Sequence, residues 1–226
     1  MCNGAGIPVV VENAPPSESA GDYLGVSMLS YQLCQEVQFD YIGEYYPNSK
    51  VVFVSGSLGQ GVAEAHLEGI NNYMAQNPGK ISSLQVLQSD WTAETSLNVI
   101  TDFITSGGEF DVIVPNTGGM CLGIIQALKN EGILEDTVLI SSGGQLALKE
   151  ALVKGELTAN TNTTSLLQGM NAFKILYEYI VHGFRLPDED KYVYVPPIIV
   201  TKDNLNDFMS LDDTDHAWEI MGGINK

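Results

Sequence analysis

Short, wholly apolar runs alternate with amphipathic stretches along most of this chain, and that alternation restricts its fold more than any other feature. Residues 7–11 (IPVVV), 51–56 (VVFVSG), 82–90 (SSLQVLQSD), 111–116 (DVIVPN) and 137–144 (TVLISSGG) read as strands. Between and after them, residues 26–42, 62–76, 93–106, 120–132 and 145–155 read as helices, several closed by glycine. Strands that are apolar on both faces and separated by helices are βαβ units. Such units build a parallel sheet covered by helices on both sides, with right-handed crossovers. Five of them fit between residues 7 and 155, and no charge run or Pro/Ser-rich linker divides them. The fold class expected is therefore α/β, with a doubly wound parallel sheet.

Beyond residue 155 the pattern changes. Residues 157–164 (LTANTNTT) read as a polar strand, and residues 166–183 as a helix ended by Gly183. Residues 191–201 (KYVYVPPIIVT) read as a strand pair broken by Pro196 and Pro197. Two prolines cannot sit in a central ladder, so they mark a crossing or an edge. The tail from Asp203 reads as a short helix and a loose end. Its Asp212–His216 run lacks the glycine and terminal glutamate of a calcium loop and reads as a solvated acidic segment.

Charge narrows the function classes. Ten Lys and Arg against twenty-eight Asp and Glu leave a net charge of −18, which opposes nucleic-acid backbones and anionic membranes alike. No run approaches the ~18 apolar residues of a membrane span. Cys2, Cys34 and Cys121 form no CxxC, and the latter two sit in apolar helical patterns as expected buried thiols. A lipid anchor on Cys2 would need an apolar segment before it.

In open α/β sheets ligands bind beyond the carboxyl ends of the strands. There stand Asn13, the 56–61 loop (GSLGQG), Asp90–Trp91, Asn116 to Gly119, Ser141 to Gly144, and Thr161 to Thr163. The set is rich in amides and hydroxyls and poor in charge. The GSLGQG loop has the order GxxGxG rather than GxGxxG, with no Lys-Ser/Thr after it, so a nucleotide cofactor is not expected. There is no GxSxG, no HExxH and no Cys/His cluster, so neither a catalytic nucleophile nor a metal site is expected. His66 reads as a capping or solvated residue, with Glu64 and Glu68 beside it on an exposed helical face. Trp91 reads either as a core filler or, at a strand end beside Asp90, as a flat face for a sugar ring. Trp91 and Asn116 are expected in one cleft, at the carboxyl ends of adjacent strands.

The ordered segments GIPVVVEN, KVVFVSGSLGQGVAEAHLEGI, DVIVPNTGGMCLGIIQALKNEG, VLISSGGQLALKEALVKGELTANTNTT, LLQGMNAFKILYEYIVHG and PPIIVTKDN, with Asp90–Trp91 among them, carry a resemblance. The chain resembles the type I periplasmic binding protein family, in particular the ribose-binding-like sugar receptors of ABC transporters. The resemblance runs nearly to Asn204 and implies two lobes that close on a ligand. It also implies that most of the first lobe is lacking. Residues 25–162 and 198–226 would form the second lobe, and residues 1–24 and 163–197 a remnant of the first with its crossings.

The resemblance further implies ligand contacts at Asn13, His66, Trp91, Asn116, Ser142, Gly143 and Thr163. His66 stands where the family carries an arginine, Gly143 where it carries an aspartate, Thr163 where it carries a glutamine, and Asn13 where it carries an aspartate. The resemblance implies a small neutral, carbohydrate-like ligand, with no cofactor and no catalysis; the loss of those charge-assisted bonds points away from a typical pentose or hexose and towards a larger, less polar or differently substituted ligand. An extracytoplasmic location and an ABC permease partner follow from the same resemblance. The alternative is the effector domain of a lactose-repressor-type regulator, which shares the fold. Leu166, Phe173, Ile175 and Ile180 would leave apolar area bare on the remnant, worth about 25 cal/mol per Å². Self-association is therefore expected there, with residues 7–11 pairing strand to strand, and sugar binding is expected to be weak or absent.

Overall fold

A computed structural model describes residues 1–17, 19–59, 61–210 and 215. The described residues divide into two compact units: residues 1–30, 163–196 and 209 onward, and residues 31–162 with 197–208.

The larger unit is built on a six-stranded sheet. Its elements are α1 (Tyr31–Tyr45), β3 (Ser49–Ser55), α2 (Val62–Gln76), β4 (Ile81–Gln88), α3 (Ala93–Thr105), β5 (Val112–Pro115), α4 (Gly118–Glu131), β6 (Val138–Ser142), α5 (Leu146–Lys154), β7 (Ala159–Asn162) and β9 (Ile198–Val200). The strand order is β4-β3-β5-β6-β7-β9, parallel except for the antiparallel β9. Alternation along the central strands feeds two cores. Val51, Phe53, Val112, Val114 and Ile140 pack with Phe39 and Ile42 of α1 and Ile70 of α2. Val52, Val54, Ile113 and Leu139 pack with Ile100 of α3, Ile124 of α4 and Leu152 of α5. Strands covered on both faces must be apolar at every position, which is why β5 is buried throughout.

Local chemistry sets the helix ends. The Thr92 and Thr117 hydroxyls accept from the Thr95 and Met120 amides at the starts of α3 and α4. Two glycines let helices approach closely: a Cβ on Gly69 would lie 2.4 Å from the Gln32 carbonyl oxygen, and one on Gly123 would lie 1.9 Å from that of Ala93. No larger residue fits at either crossing without separating the helices.

The smaller unit holds a three-stranded sheet, β1 (Val11–Glu12), β2 (Val26–Leu29) and β8 (Tyr192–Val195), all parallel, in the order β1-β2-β8. Helix α6 (Ser165–His182) packs on it, and the Ser27 hydroxyl donates to the Gln168 carbonyl. Thr164 caps that helix through the Leu166 amide, and Gly183 ends it in a left-handed conformation. The helix expected over 26–42 is thus two elements. Val26 to Leu29 pair in register with β8, and the helix begins only at Tyr31. Residues 25–30 accordingly sit in the smaller unit, where the sequence reading put them in the second lobe. The strand expected over 7–11 is ordered as a ladder only at Val11 and Glu12. Pro196 and Pro197 fall between two edge strands of different sheets, β8 and β9.

Candidate functional site

Strand order places the candidate site. From β3 the chain crosses by α2 to β4 on one side, then by α3 to β5 on the other. The chain reverses direction there, and in open α/β sheets such a reversal places the ligand crevice at the carboxyl ends of the two strands, here β3 and β5. β3 leads into Gly56 and β5 into Asn116, and the Gly56 amide donates to Asn116 Oδ1 at 3.0 Å. β4 leads to Trp91, which takes a left-handed backbone (φ 74°) unusual for a bulky residue. Its indole lies directly on Gly56: a Cβ there would meet the ring atoms at 2.3 Å. Trp91 and Asn116 therefore meet at one glycine, although β3 stands between their strands. The expectation of adjacent strands is corrected by the crossover reversal that inserts β3.

Further residues join at the same edge. Ser142 Oγ donates to the Asn116 carbonyl at 3.1 Å. Asn160 Nδ2 and Asn162 Nδ2 both donate to the Gly143 carbonyl, at 2.8 and 3.1 Å. Gly143 has φ 129°, and a Cβ there would lie 2.3 Å from Gln145 Oε1. A side chain at Gly118 would meet the same oxygen at 2.5 Å. The two glycines thus make room for the Gln145 amide between the loops after β5 and β6.

Several buried polar atoms along this edge meet no protein partner among the described residues, including the donors Trp91 Nε1 and Asn116 Nδ2 and the acceptors Gln145 Oε1 and Asn160 Oδ1. Such groups cost roughly 1–3 kcal/mol each unless something bonds them. Every one of them is neutral. Asp90 is exposed, and its carboxylate accepts from the amide and hydroxyl of Thr92, which holds its pKa below the usual range. It braces the Thr92 cap of α3.

His66 makes its contacts elsewhere, and the solvated helical face expected for it is corrected. It is 3% exposed, 2.9 Å from Gln35 Nε2 through Nδ1, with its ring 5.1 Å from that of Tyr31 and 6.5 Å from that of Phe53. Burial lowers its pKa to about 3, so the imidazole is neutral. Glu64 and Glu68 are exposed beside it, as read from the sequence. Cys34 and Cys121 are buried free thiols pushed up to about 12. Asn13 and Thr163 belong to the smaller unit. Asn13 is exposed with a left-handed backbone (φ 72°), its amide donating to the Ser27 carbonyl; Thr163 is buried.

Gln145 and Asn160 escaped the sequence reading as site residues. Gln145 reads there as a helix start. Asn160 carried a usable signal, because a fully buried strand reading Ala-Asn-Thr-Asn breaks the apolar rule of its neighbours. Two surface hollows lie in the smaller unit. One, about 490 Å³, surrounds Arg185, already paired with Asp22 at 2.5 Å; the other, about 650 Å³, is apolar between Ile175, Leu186 and Val193. Neither is lined by an unpartnered buried side-chain atom among the described residues.

Comparison with known proteins agrees on the fold. A galactofuranose binding protein superposes with a TM-score of 0.77 at 20% identity, covering 96% of this chain and 73% of its own. A solute binding protein from Agrobacterium vitis with bound D-fucose gives 0.77 at 21%, covering 95% and 71%. At such identities the likeness speaks for the fold alone. A protein of Rhizobium meliloti named for rhizopine binding is 29% identical over 163 residues, 70% of this chain and 51% of its own length. The D-galactose/methyl-galactoside binding periplasmic protein of Haemophilus influenzae is 24% identical over 172 residues, 70% and 49%. The chain thus spans about half the length of the curated relatives it matches. The profile of the periplasmic binding protein domain matches residues 1–183, and the chain belongs to that family.

Proposed function

We infer that this chain is part of a solute-binding receptor for a small neutral polyhydroxylated ligand, serving an ABC importer outside the cytoplasm and catalysing no reaction. The observation that carries this reading is the uncharged shelf at the switch point. Among the described residues, unpartnered donors on Trp91 and Asn116 lie at Gly56, and unpartnered acceptors on Gln145 and Asn160 lie farther along the same edge, at Gly143 and β7. A sugar or cyclitol offers hydroxyls that both donate and accept, and an apolar ring face that stacks. The relatives support the class: solved neighbours hold D-allose, D-fucose and myo-inositol. On this reading the larger unit is the second lobe and the smaller unit belongs to the first. His66 would act by packing against Gln35 and Phe53 rather than by charge.

The test is a titration followed through tryptophan fluorescence, with D-galactose, D-allose, D-fucose, myo-inositol and, as the charged control, D-galacturonate. Weak, saturable perturbation by at least one neutral compound is expected, lost in Asn116→Leu and Trp91→Ala. A response to the uronate alone would overturn the neutral-ligand reading. Silence towards all five at the solubility limit would overturn the site.

A further inference from the structure

Helix α6 carries apolar residues on two opposite sides. One side turns to the small sheet: the Ser27 hydroxyl donates to the Gln168 carbonyl, and a Cβ on Gly25 would lie 3.2 Å from Ile175 Cδ1. Leu166, Met170, Phe173, Tyr177 and Ile180 recur at intervals of four, three, four and three residues, and this spacing sets them along the other side. A helix that is apolar on both sides needs a cover on both. The outer stripe is covered unevenly. At its start Met170 and Met209 are buried together, with Leu166 and Leu167 packed against them. Midway the Phe173 and Tyr177 rings lie 6.2 Å apart, and at the far end Ile180 is 64% exposed.

Met209 points to the occupant. The chain from Met209 onward belongs to the smaller unit, and it continues as SLDDTDHAWEIMGGINK over residues 210–226. In that segment Leu211, Trp218 and Met221 recur at helical spacing, Asp212, Asp213, Asp215 and Glu219 fall to the other side, and Gly222 and Gly223 close the run. We propose that this tail covers the stripe of its own chain, with Trp218 and Met221 laid on Phe173 and Tyr177.

Reach and charge favour the tail over a second copy. From Met170 to Tyr177 the stripe advances about 10 Å at 1.5 Å per residue. From Met209 to Trp218 the chain spans about 13 Å as a helix and about 30 Å when extended, so either form arrives there. Lys174, the one Lys or Arg of α6, flanks the stripe where the four tail carboxylates would lie. The tail is already anchored at Met209, so its docking is intramolecular and favoured by a high effective concentration. A second copy has no such tether and brings a net charge of −18 against another −18.

The experiment uses the full chain with Trp91→Phe, which leaves Trp218 as its sole tryptophan. Acrylamide quenching of its emission is followed over a dilution series, with sedimentation velocity on the same samples. The emission should lie to the blue of that in urea, and quenching should be several-fold weaker than in the unfolded chain. Neither should change on dilution. Adding Tyr177→Ser should raise quenching towards the unfolded value, and Lys174→Glu should raise it less. Quenching in the folded protein equal to that in urea overturns the proposal, and this reading needs no further variant to fold. Protection that fades on dilution as a dimer dissociates also overturns it, because the occupant is then a second copy. Protection that survives Tyr177→Ser in a folded protein places the tail elsewhere and overturns it too.

Discussion

The two units solve the same packing problem to different degrees. In the larger, every central strand is covered on both faces, and Phe53, Ile113, Ile124 and Leu139 have no exposed surface. In the smaller, Tyr192 and Tyr194 stand half-exposed and stacked on one another, 6.5 Å between ring centroids. Phe173, Ile180, Val181 and Phe184 on and after α6 are likewise exposed. Of the four residues expected to leave that helix bare, Phe173 and Ile180 do so, while Leu166 packs against Met170 and Met209 and Ile175 is half-buried. The same residue types thus carry very different energies according to whether a second layer covers them. Cooperativity should reside in the larger unit.

That contrast can be broken or sharpened in descending order of effect. Phe53→Ala removes a fully buried ring from the larger core and should cost about 3–5 kcal/mol in urea unfolding. A loss below about 1 kcal/mol would show that this core does not hold the unit together.

Acid should act next, through His66. Its folded pKa, about 3, lies below the ordinary 6.5, so above pH 6.5 both states are neutral and nothing is lost. As pH falls below 6.5 the unfolded chain takes up a proton that the folded chain refuses. Stability then drops by about 1.4 kcal/mol per pH unit until pH nears the folded value. Between pH 7 and 5 this amounts to about 2 kcal/mol, and His66→Gln should flatten the slope by that much. Equal slopes in the two proteins would mean that His66 is not buried as described.

Gly56→Ala tests the Trp91 contact. The added methyl collides with the indole, so a shift in tryptophan emission and a loss of roughly 1–3 kcal/mol are expected. An unchanged spectrum would place the ring elsewhere. Smallest of all, Ile180→Ser on the exposed face of α6 should change stability by less than about 0.5 kcal/mol. A larger loss would mean that this face is covered in solution, and the contrast between the units would fall.

Much of the fold was legible because its causes are local. Helices α4, α5 and α6 end at Gly132, Gly155 and Gly183, each left-handed, where the sequence pattern stops. Strands β3 and β5 of the larger sheet announced themselves by nearly continuous apolar runs. The split of residues 26–42 was not legible. A four-residue strand runs into a helix across Ser30 with no glycine or proline between, and apolar spacing cannot separate two elements that short. The tail residues 212–214 and 216, read as a solvated acidic segment, lie outside the described residues.

The site divides in the same way. Position after a strand is a sequence property, and it picked out Trp91, Asn116, Ser142 and Gly143. Their partners are not. Gly56 receives Asn116 from 60 residues away, and Asn160 reaches the Gly143 carbonyl across 17. Gln145 fits its gap only because the start of α4 at Gly118 and the loop at Gly143 each lack a side chain there. His66 shows the limit most clearly, since a histidine between two glutamates on a helix has no local reason to be buried. The sequence by itself determined the βαβ framework, the helix ends and the uncharged character of the strand-end loops, because periodicity and capping act over a few residues. Only the tertiary structure decided that β3 stands between the strands of Trp91 and Asn116, that His66 is sealed against Gln35 and Phe53, and which polar atoms lack partners. Those outcomes depend on strand order and on contacts between distant segments, and no local pattern encodes them.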